Sequence, residues 1–214
     1  MTNLTKAIIP VDFTGQPADM DAIMEIARKH NLLVIEDGAH SLGAEYKGKK
    51  VGTFADMTMF SFHPVKPITT GEGGIIVTNN EEYYEKLLLF RSHGITKTPY
   101  ALEQGDWYYE MVDLGFNYRM TDIQATLGLS QLKKIDVFLA RRREIAKIYN
   151  EAFANEPLLQ IPEQLGGTNS GWHLYMLQLS DKLDRKKYSI KCVNLILVFM
   201  FIIFLCIGIR IIKN

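Results

Sequence analysis

The N-terminal third of the chain alternates short apolar runs with an amphipathic segment, and this order restricts the fold more than any other feature. Lys6–Phe13 and Leu32–Ile35 are apolar runs of strand length, and Asp19–His30 between them carries its apolar residues at helical spacing. Strands that are apolar throughout are typical of parallel sheets covered on both faces. The sequence therefore predicts a β-α-β unit and an α/β fold.

Further elements follow this unit. Two more strands are predicted at Met57–Phe62 and Gly74–Thr78, and a helix at Glu81–His93. Tyr100–Met111 is polar and aromatic and is interpreted as a loop, with Trp107 to Tyr109 at its tip. These three rings are interpreted either as packing residues or as a platform that stacks on a sugar.

A single long helix is predicted in the second half of the chain. Thr121-Asp122-Ile123-Gln124 has the spacing of a capping box, in which threonine and glutamine side chains satisfy free backbone amides at a helix start. The helical pattern continues to about Phe153, with Arg141–Arg143 expected to face solvent.

Composition excludes several classes of protein. The formal net charge is zero, so nothing points to a nucleic-acid partner. Both cysteines, Cys192 and Cys206, lie near the C-terminus, so the remainder has neither a disulfide framework nor a thiolate metal site, and no metal site is predicted. The polar start at Met1–Lys6 does not resemble a signal peptide.

The C-terminal segment differs in composition from the rest. Residues 195–209 read LILVFMFIIFLCIGI, without a charge. A helix of this length spans about 22 Å, short of the roughly 30 Å hydrocarbon core of a bilayer. Residues 193–212, with Lys and Arg at both ends, reach the length of a candidate transmembrane segment. A hydrophobic C-terminal helix is therefore predicted.

A carboxylate and an amine follow two of the predicted strands. Asp37 ends one strand, where ligands bind in open α/β sheets, and Lys66 lies in the turn after another, near Ser61 and His63. Taken singly, a strand-end aspartate is more often a cap or turn residue, and a loop lysine is more often a solvated surface residue. The function must therefore be argued from the pair.

Three motifs, in order, resemble those of the DegT-type sugar aminotransferases. They are I-E-D-G-A-H-S-L-G-A at 35–44, S-F-H-P-V-K-P-I-T-T-G-E-G-G at 61–74 and G-F-N-Y-R-M-T-D-I-Q-A at 115–125. The family comprises fold-type-I enzymes that use pyridoxal 5′-phosphate to install amino groups on keto sugar nucleotides. The resemblance covers about residues 5–180 and implies part of the large domain of such an enzyme, a mostly parallel sheet with flanking helices.

The resemblance implies a role for each motif residue. Lys66 bonds to the cofactor aldehyde as a Schiff base and shuttles the proton, and Asp37 pairs with the protonated ring nitrogen. His40 stands where the family places a donor to the phenolic oxygen of the ring, and Ser61 matches a phosphate-binding hydroxyl. His40 is alternatively a satisfied core histidine, and His63 is either a wall of the substrate site or a packing residue.

A homodimer with shared sites is also implied. Asn117 matches a residue that reaches the phosphate from the neighbouring subunit, and Arg119 is a candidate for substrate contact across that interface. Gly115–Thr121 is alternatively only a turn and a cap.

The resemblance also suggests a substrate. V-D-F-T-G-Q-P and F-H-P-V-K-P-I-T-T resemble the transaminases of pseudaminic-acid biosynthesis, which act on a UDP-linked 4-keto-6-deoxy-N-acetyl sugar with glutamate as amino donor. Some relatives carry histidine in place of this lysine and catalyse dehydration, so Lys66 favours transamination. Another fold-type-I enzyme, such as a C–S lyase, is the alternative chemistry.

Family members extend further at both ends, and this suggests a division of the chain. Residues 1–120 are assigned to a partial cofactor-binding domain, 121–188 to a linking helix and the start of a small domain, and 189–214 to the hydrophobic tail. An internal start and a frameshift are one interpretation, with weak or absent cofactor binding because part of the phosphate cradle lies outside the chain. A membrane-anchored, non-catalytic fragment is the rival, whereas the family implies a cytoplasmic protein.

Overall fold

A computed structural model of the chain describes residues 1–184 and 187. The strands are β1 Ala7–Ile8, β2 Leu33–Asp37, β3 Glu45–Tyr46, β4 Lys49–Lys50, β5 Met57–Ser61, β6 Gly74–Val77, β7 Ile95–Thr96, β8 Glu110–Met111, β9 Leu159–Gln160, β10 Thr168–Asn169 and β11 Gln178–Leu179. The α-helices are α1 Met20–His30, α2 Glu81–Arg91, α3 Pro99–Gln104, α4 Asp122–Leu132 and α5 Ile135–Phe153.

The main sheet has four strands in the order β1-β2-β5-β6. β2 runs parallel to β1 and to β5, with Asp37 opposite Met59, and β6 returns antiparallel to β5. The predicted α/β architecture with a mostly parallel sheet is therefore confirmed, with one antiparallel strand at its edge. Because β2 and β5 are parallel neighbours, their carboxyl ends meet at the same edge of the sheet.

Helix α1 packs on this sheet where the sequence predicts it. The side chain of Asp19 accepts a 3.3 Å hydrogen bond from the amide of Ala22 at the start of the helix, and Asn31 ends it in a left-handed conformation. Met20 and Val34 are completely buried in the core cluster between helix and sheet. The β-α-β unit thus forms because the apolar face of α1 covers β2.

The single helix predicted from Thr121 is wrong, because the structure has two. The capping box at Thr121 forms as predicted, but α4 closes through a 2.9 Å bond from the amide of Lys134 to the carbonyl of Gln131. Lys134 then leaves the helical region, with φ −109° and ψ 0°, before α5 begins. Two shorter helices can therefore change direction at this point.

Arg142 and Arg143 do not face solvent as predicted. Both guanidinium groups donate to backbone carbonyls in residues 170–173 and are partly buried there. The reason is a chain segment, distant in sequence, that crosses this face of α5. Arg141 remains exposed and pairs with Glu144 three residues later.

The predicted loop Tyr100–Met111 is wrong in part, since it contains most of α3 and all of β8. Thr98 caps α3 by accepting a 3.1 Å bond from the amide of Ala101, and Pro99 takes the first helical position. Tyr108 contacts Tyr100 edge-on within this region. The Thr-Pro pair supplies the helix start that the polar composition concealed.

The hydrophobic segment at residues 193–212 lies outside the described residues. The membrane span and the C-terminal helix predicted there therefore stay predictions. Within the described part of the chain, every helix is too short or too polar to cross a bilayer. The predicted division at residues 120 and 188 stays a prediction.

Candidate active site

Asp37 and Ser61 lie at the carboxyl edge of the parallel strands. Each is the last residue of its strand, β2 and β5, and both side chains are partly buried. The Asp37 carboxylate accepts a 3.1 Å hydrogen bond from the amide of Ala39. This edge is where open α/β sheets bind their ligands, so the sheet brings two of the predicted residues to one location.

Lys66 is carried by the turn that connects β5 to β6. Its amide donates to the carbonyl of His63 over 3.0 Å, and Thr69 and Thr70 both donate to the carbonyl of Phe62, which closes the turn. The side chain is half-buried, and this burial lowers the pKa of the ammonium group, while the negative charge of Asp37 acts in the opposite direction. Lys66 therefore stands within electrostatic reach of Asp37 and is made a better nucleophile by its surroundings.

His40 lies in the turn after β2 and is held by a backbone amide. The amide of Thr14 donates to Nδ1 of His40 over 3.2 Å, so the neutral imidazole carries its proton on Nε2. Burial lowers the pKa of His40, as does the charge of Lys66, and Asp37 opposes them. A neutral ring with a free Nε2–H is the form that donates a hydrogen bond to a ligand oxygen.

Asp12, which sequence reasoning did not select, supports the same edge of the sheet. It is completely buried, and its carboxylate accepts from the hydroxyl of Ser41 over 2.6 Å and from the amide of Ala18 over 2.9 Å. Its own amide donates to the carbonyl of Asp37 over 3.1 Å. An aspartate within the otherwise apolar run Lys6–Phe13 is the signal that could have found it, because a carboxylate beside a buried strand needs hydrogen-bond partners.

Residues 170–175, termed the strap, cross the site and were also missed. The amides of Gly171 and Leu174 donate to the carbonyls of Gly15 and Thr14 over 2.9 and 3.0 Å. Within the strap, the ring of His173 lies 4.5 Å from the ring of His40, between centroids. The strap therefore contacts both the His40 ring and the turn that holds it.

A cavity of about 400 Å³ separates the Lys66 turn from α5 and the strap. Val65 and Pro67, the neighbours of Lys66 in sequence, form one wall, and Arg142 and Tyr149 of α5 form another. The strap contributes Trp172 to the lining, which is mostly apolar and aromatic. The cavity leaves room beside the turn for a group larger than water.

The remaining predicted residues lie at the periphery. His63 is exposed, with Nε2 3.9 Å from a carboxylate oxygen of Glu72. Asn117 and Arg119 are exposed, and among the described residues no hydrogen bond joins either of them to Lys66. The single chain thus assembles Asp37, His40, Ser61 and Lys66 at one edge and leaves Asn117 and Arg119 on its surface.

Comparison with known proteins gives this arrangement a family. The sequence profile of the DegT/DnrJ/EryC1/StrS aminotransferase family matches residues 1–193. The uncharacterized protein MJ1066 of Methanocaldococcus jannaschii is 51% identical over 191 residues, 88% of this chain and 49% of that protein. The UDP-4-amino-4,6-dideoxy-N-acetyl-beta-L-altrosamine transaminase of Campylobacter jejuni strain 81-176 is 46% identical over 173 residues, 81% of this chain and 44% of that enzyme.

Solved structures agree with the sequence comparison. PseC of Helicobacter pylori, an aminotransferase of pseudoaminic acid biosynthesis, superposes with a TM-score of 0.79 at 39% identity, covering 92% of this chain and 50% of that one. The pyridoxal-phosphate form of Spr1654, a putative sugar aminotransferase of Streptococcus pneumoniae, gives a TM-score of 0.80 at 31% identity, covering 91% and 53%. The chain therefore spans about half the length of the relatives it matches.

These matches confirm the predicted fold-type-I architecture, and they confirm pyridoxal phosphate as the cofactor of the family. The matched region contains all three motifs on which the resemblance was based. The chain belongs to the DegT/DnrJ/EryC1/StrS aminotransferase family.

Proposed function

We propose that this chain carries the catalytic half-site of a transaminase that moves an amino group from glutamate to the keto carbon of a UDP-linked 4-keto-6-deoxy-N-acetyl sugar. Relatives from Campylobacter jejuni and Helicobacter pylori named UDP-4-amino-4,6-dideoxy-N-acetyl-beta-L-altrosamine transaminase share 42% to 46% identity and support this substrate. Two GDP-perosamine synthases share 47% and 48% identity over shorter stretches, so the nucleotide must be tested directly.

The observation that carries the proposal is the placement of Lys66, in the turn after β5, at the same edge of the sheet as Asp37, the last residue of the neighbouring parallel strand β2. Pyridoxal phosphate requires an amine that forms a Schiff base with its aldehyde and a carboxylate that hydrogen-bonds to its protonated ring nitrogen. A half-buried amine with a lowered pKa and a strand-end carboxylate fit these two requirements. The residues present therefore fit the cofactor.

When bound, pyridoxal phosphate supplies an electron sink and carries the amino group between donor and acceptor. Lys66 would carry the proton from the Cα atom of glutamate to the C4′ atom of the cofactor, and in the second half-reaction would carry a proton from C4′ to the sugar carbon. The Asp37 carboxylate would hold a proton on the ring nitrogen through a charge-assisted hydrogen bond. His40 would donate from Nε2–H to the phenolic oxygen, and Ser61 would donate its hydroxyl to the phosphate. The net products are 2-oxoglutarate and the amino sugar nucleotide.

A second copy of the chain completes the site in this proposal. Leu114, Phe116 and Tyr118 are exposed around Asn117 and Arg119, and the Phe116 and Tyr118 rings stack with centroids 4.9 Å apart. Adjacent exposed apolar side chains of this size are typical of an interface with another protein. A partner placed there brings Asn117 to the phosphate and Arg119 to the substrate of the neighbouring site.

Cofactor binding is the first test. The purified chain is titrated with pyridoxal phosphate, reduced with borohydride and digested, and the modified lysine is identified by mass spectrometry. We expect the label on Lys66, no visible Schiff-base absorption in Lys66→Ala, and an unchanged spectrum in Lys50→Ala, whose side chain is exposed. A chain that binds no cofactor, or labels surface lysines equally, would contradict the proposal and support the non-catalytic alternative.

Substrate choice is the second test. Glutamate consumption is followed with the UDP-linked keto sugar and, separately, with a GDP-linked 4-keto-6-deoxy sugar. In a third reaction, a thioether amino acid is offered without glutamate, and thiol release is measured. We expect amino transfer only to the UDP-linked sugar. Equal transfer to the GDP-linked sugar would overturn the nucleotide assignment, and release of a thiol would favour a C–S lyase.

The interface is the third test. Phe116→Asp places a charge in the proposed contact, whereas Trp107→Asp places one at an even more exposed ring outside it. We expect sedimentation analysis to show a dimer that Phe116→Asp dissociates and Trp107→Asp leaves intact. A monomeric wild-type chain would contradict the shared site.

A further inference from the structure

The strap packs directly against the short turn Phe13–Gly15, which contains Thr14. A Cβ atom added to Gly15 would lie 2.9 Å from the backbone nitrogens of Trp172 and His173 and 3.0 Å from the carbonyl oxygen of His40. Only glycine fits at this point, and its φ of +108° is one that other residues rarely adopt. The turn at Thr14 and Gly15, the turn that carries His40, and the strap are distant in sequence and are in contact at Gly15.

Backbone strain is concentrated at the same contact. Thr14 has a φ of 65° and Trp172 a φ of 47°, both in the left-handed region that non-glycine residues avoid. Such conformations persist only where surrounding contacts determine them, and they cluster at functional sites. Thr14 is the residue whose amide donates to His40, and Trp172 precedes His173.

His173 presents a buried ring with an unused nitrogen. The residue is only 9% exposed, and among the described residues none forms a hydrogen bond with its Nδ1. Desolvation, together with the charges of His40, Lys66 and Arg142, lowers the pKa of His173 to about 3. Its ring is therefore neutral at physiological pH, and it packs against the His40 ring with a centroid distance of 4.5 Å and an angle of 47° between the ring planes.

From this geometry we infer that His173 is a positioning residue, which fixes the His40 imidazole against the Thr14 amide and so keeps Nε2–H available to the cofactor. The inference rests on the proposed function for its cofactor. Without the His173 face, His40 can rotate away from Thr14, and its proton can then reside on either nitrogen. In metal sites, substitution of a residue that orients a ligand histidine commonly lowers affinity by about tenfold to a hundredfold, and we expect an effect at the lower end of this range here.

The charged groups around the pair exclude a proton-transfer role for His173. The positive charges of Lys66 and Arg142 both oppose protonation of the His173 ring and keep its pKa low. A buried histidine near these two cations stays neutral and does not take up a proton. The His173 ring instead supplies a rigid packing surface against which the His40 ring is held.

The test compares two substitutions that fill the same space. His173→Phe keeps a rigid ring to pack against His40, whereas His173→Leu keeps the bulk without the ring. Nitrogen-15 spectra of the histidines in the cofactor-free protein report the tautomer of His40. We expect a pure Nε2–H tautomer in the wild-type protein and in His173→Phe, and a mixture of tautomers in His173→Leu.

Cofactor affinity supplies a second readout. We expect the Kd for pyridoxal phosphate to stay within about twofold in His173→Phe and to rise by about tenfold in His173→Leu. His30→Leu, an exposed histidine at the end of α1, is the control and should change neither readout. Thermal unfolding of each cofactor-free variant identifies any protein that has lost its fold.

The outcomes separate this inference from the proposed function. A His173→Leu protein that is folded and retains the pure Nε2–H tautomer overturns the positioning role. A tautomer change in His173→Leu, in a chain whose wild-type form binds no cofactor, leaves the positioning role standing and refutes the proposed function.

Discussion

The hydroxyl of Ser41 donates a 2.6 Å hydrogen bond to the carboxylate of Asp12, and both side chains are completely buried. Desolvation raises the pKa of Asp12, while the bonds from Ser41 and from the amide of Ala18 lower it. The pair joins the segment after β1, which carries Thr14, to the turn after β2, which carries His40. It therefore stabilises the two segments on which the candidate site depends.

Removing the Ser41 hydroxyl should destabilise the fold. Ser41→Ala leaves a buried oxygen of Asp12 without its donor, which costs about 1–3 kcal/mol of unfolding free energy. Urea unfolding at neutral pH measures the loss. Ser130→Ala, on the exposed face of α4, is the matched control and should stay within about 0.5 kcal/mol. Equal effects of the two substitutions would show that the buried bond contributes nothing.

Glu36 should make the stability of the chain depend on pH. The side chain is completely buried, and among the described residues its Oε1 has no hydrogen-bond partner. Desolvation, with the charge of Asp12, raises its pKa from 4.5 to about 7, although Thr58 donates to Oε2. A raised pKa means that the folded protein binds the proton more tightly than the unfolded chain. The Glu36 contribution to stability is therefore full below pH 4.5 and is lost as the pH rises to about 7.

The variant Glu36→Gln isolates this dependence. A neutral side chain keeps an oxygen for Thr58 and never ionises, so it should gain up to about 3 kcal/mol over the wild-type protein at pH 8 and little at pH 4.5. Unfolding free energies of both proteins at the two pH values give the difference. Glu25→Gln, exposed on α1, should show no such pH-dependent gain. A gain at pH 8 no larger than at pH 4.5 would contradict the raised pKa.

The local parts of the fold were predictable because their causes are local. The boundaries of α1 follow from an aspartate cap and a left-handed asparagine that lie beside the helix in sequence. Asp37 and Lys66 were found because a strand end and a motif mark them. His173 and Arg142 were not found, since their importance comes from contacts with segments that lie far away along the chain.

The break between α4 and α5 also could not be predicted from local sequence. The residues around Lys133 and Lys134 favour a helix and include no Gly or Pro, so their intrinsic propensity predicts one uninterrupted helix. In the structure, α5 instead packs Leu139 and Ala146 into the interior, and both are almost completely buried. Tertiary packing of α5 thus overrides a continuous local preference.

Gly15→Ala should be more damaging than the same change at another left-handed glycine. Both Gly15 and Gly48 have positive φ, so alanine strains the backbone at either position. At Gly48 nothing lies within 4 Å of the added Cβ, whereas at Gly15 it meets the backbone of the strap. We expect Gly15→Ala to cost about 1–3 kcal/mol more than Gly48→Ala, the range for overpacking. Urea unfolding of the two variants provides the comparison, and similar losses would show that the strap yields easily.

Arg142→Met should loosen the strap without removing the helix that carries it. The guanidinium donates to the carbonyls of Trp172 and His173 over 3.2 and 3.3 Å, and methionine keeps the apolar stem but not the donors. Hydrogen bonds to charged groups contribute about 1.5–3 kcal/mol, so the amide of Leu174, bonded to Thr14, should exchange its hydrogen faster by a corresponding factor. Arg141→Met, which breaks only an exposed pair on the same helix, should leave that amide protected. Unchanged protection of Leu174 in Arg142→Met would mean that the backbone bonds to Gly15 and Thr14 hold the strap by themselves.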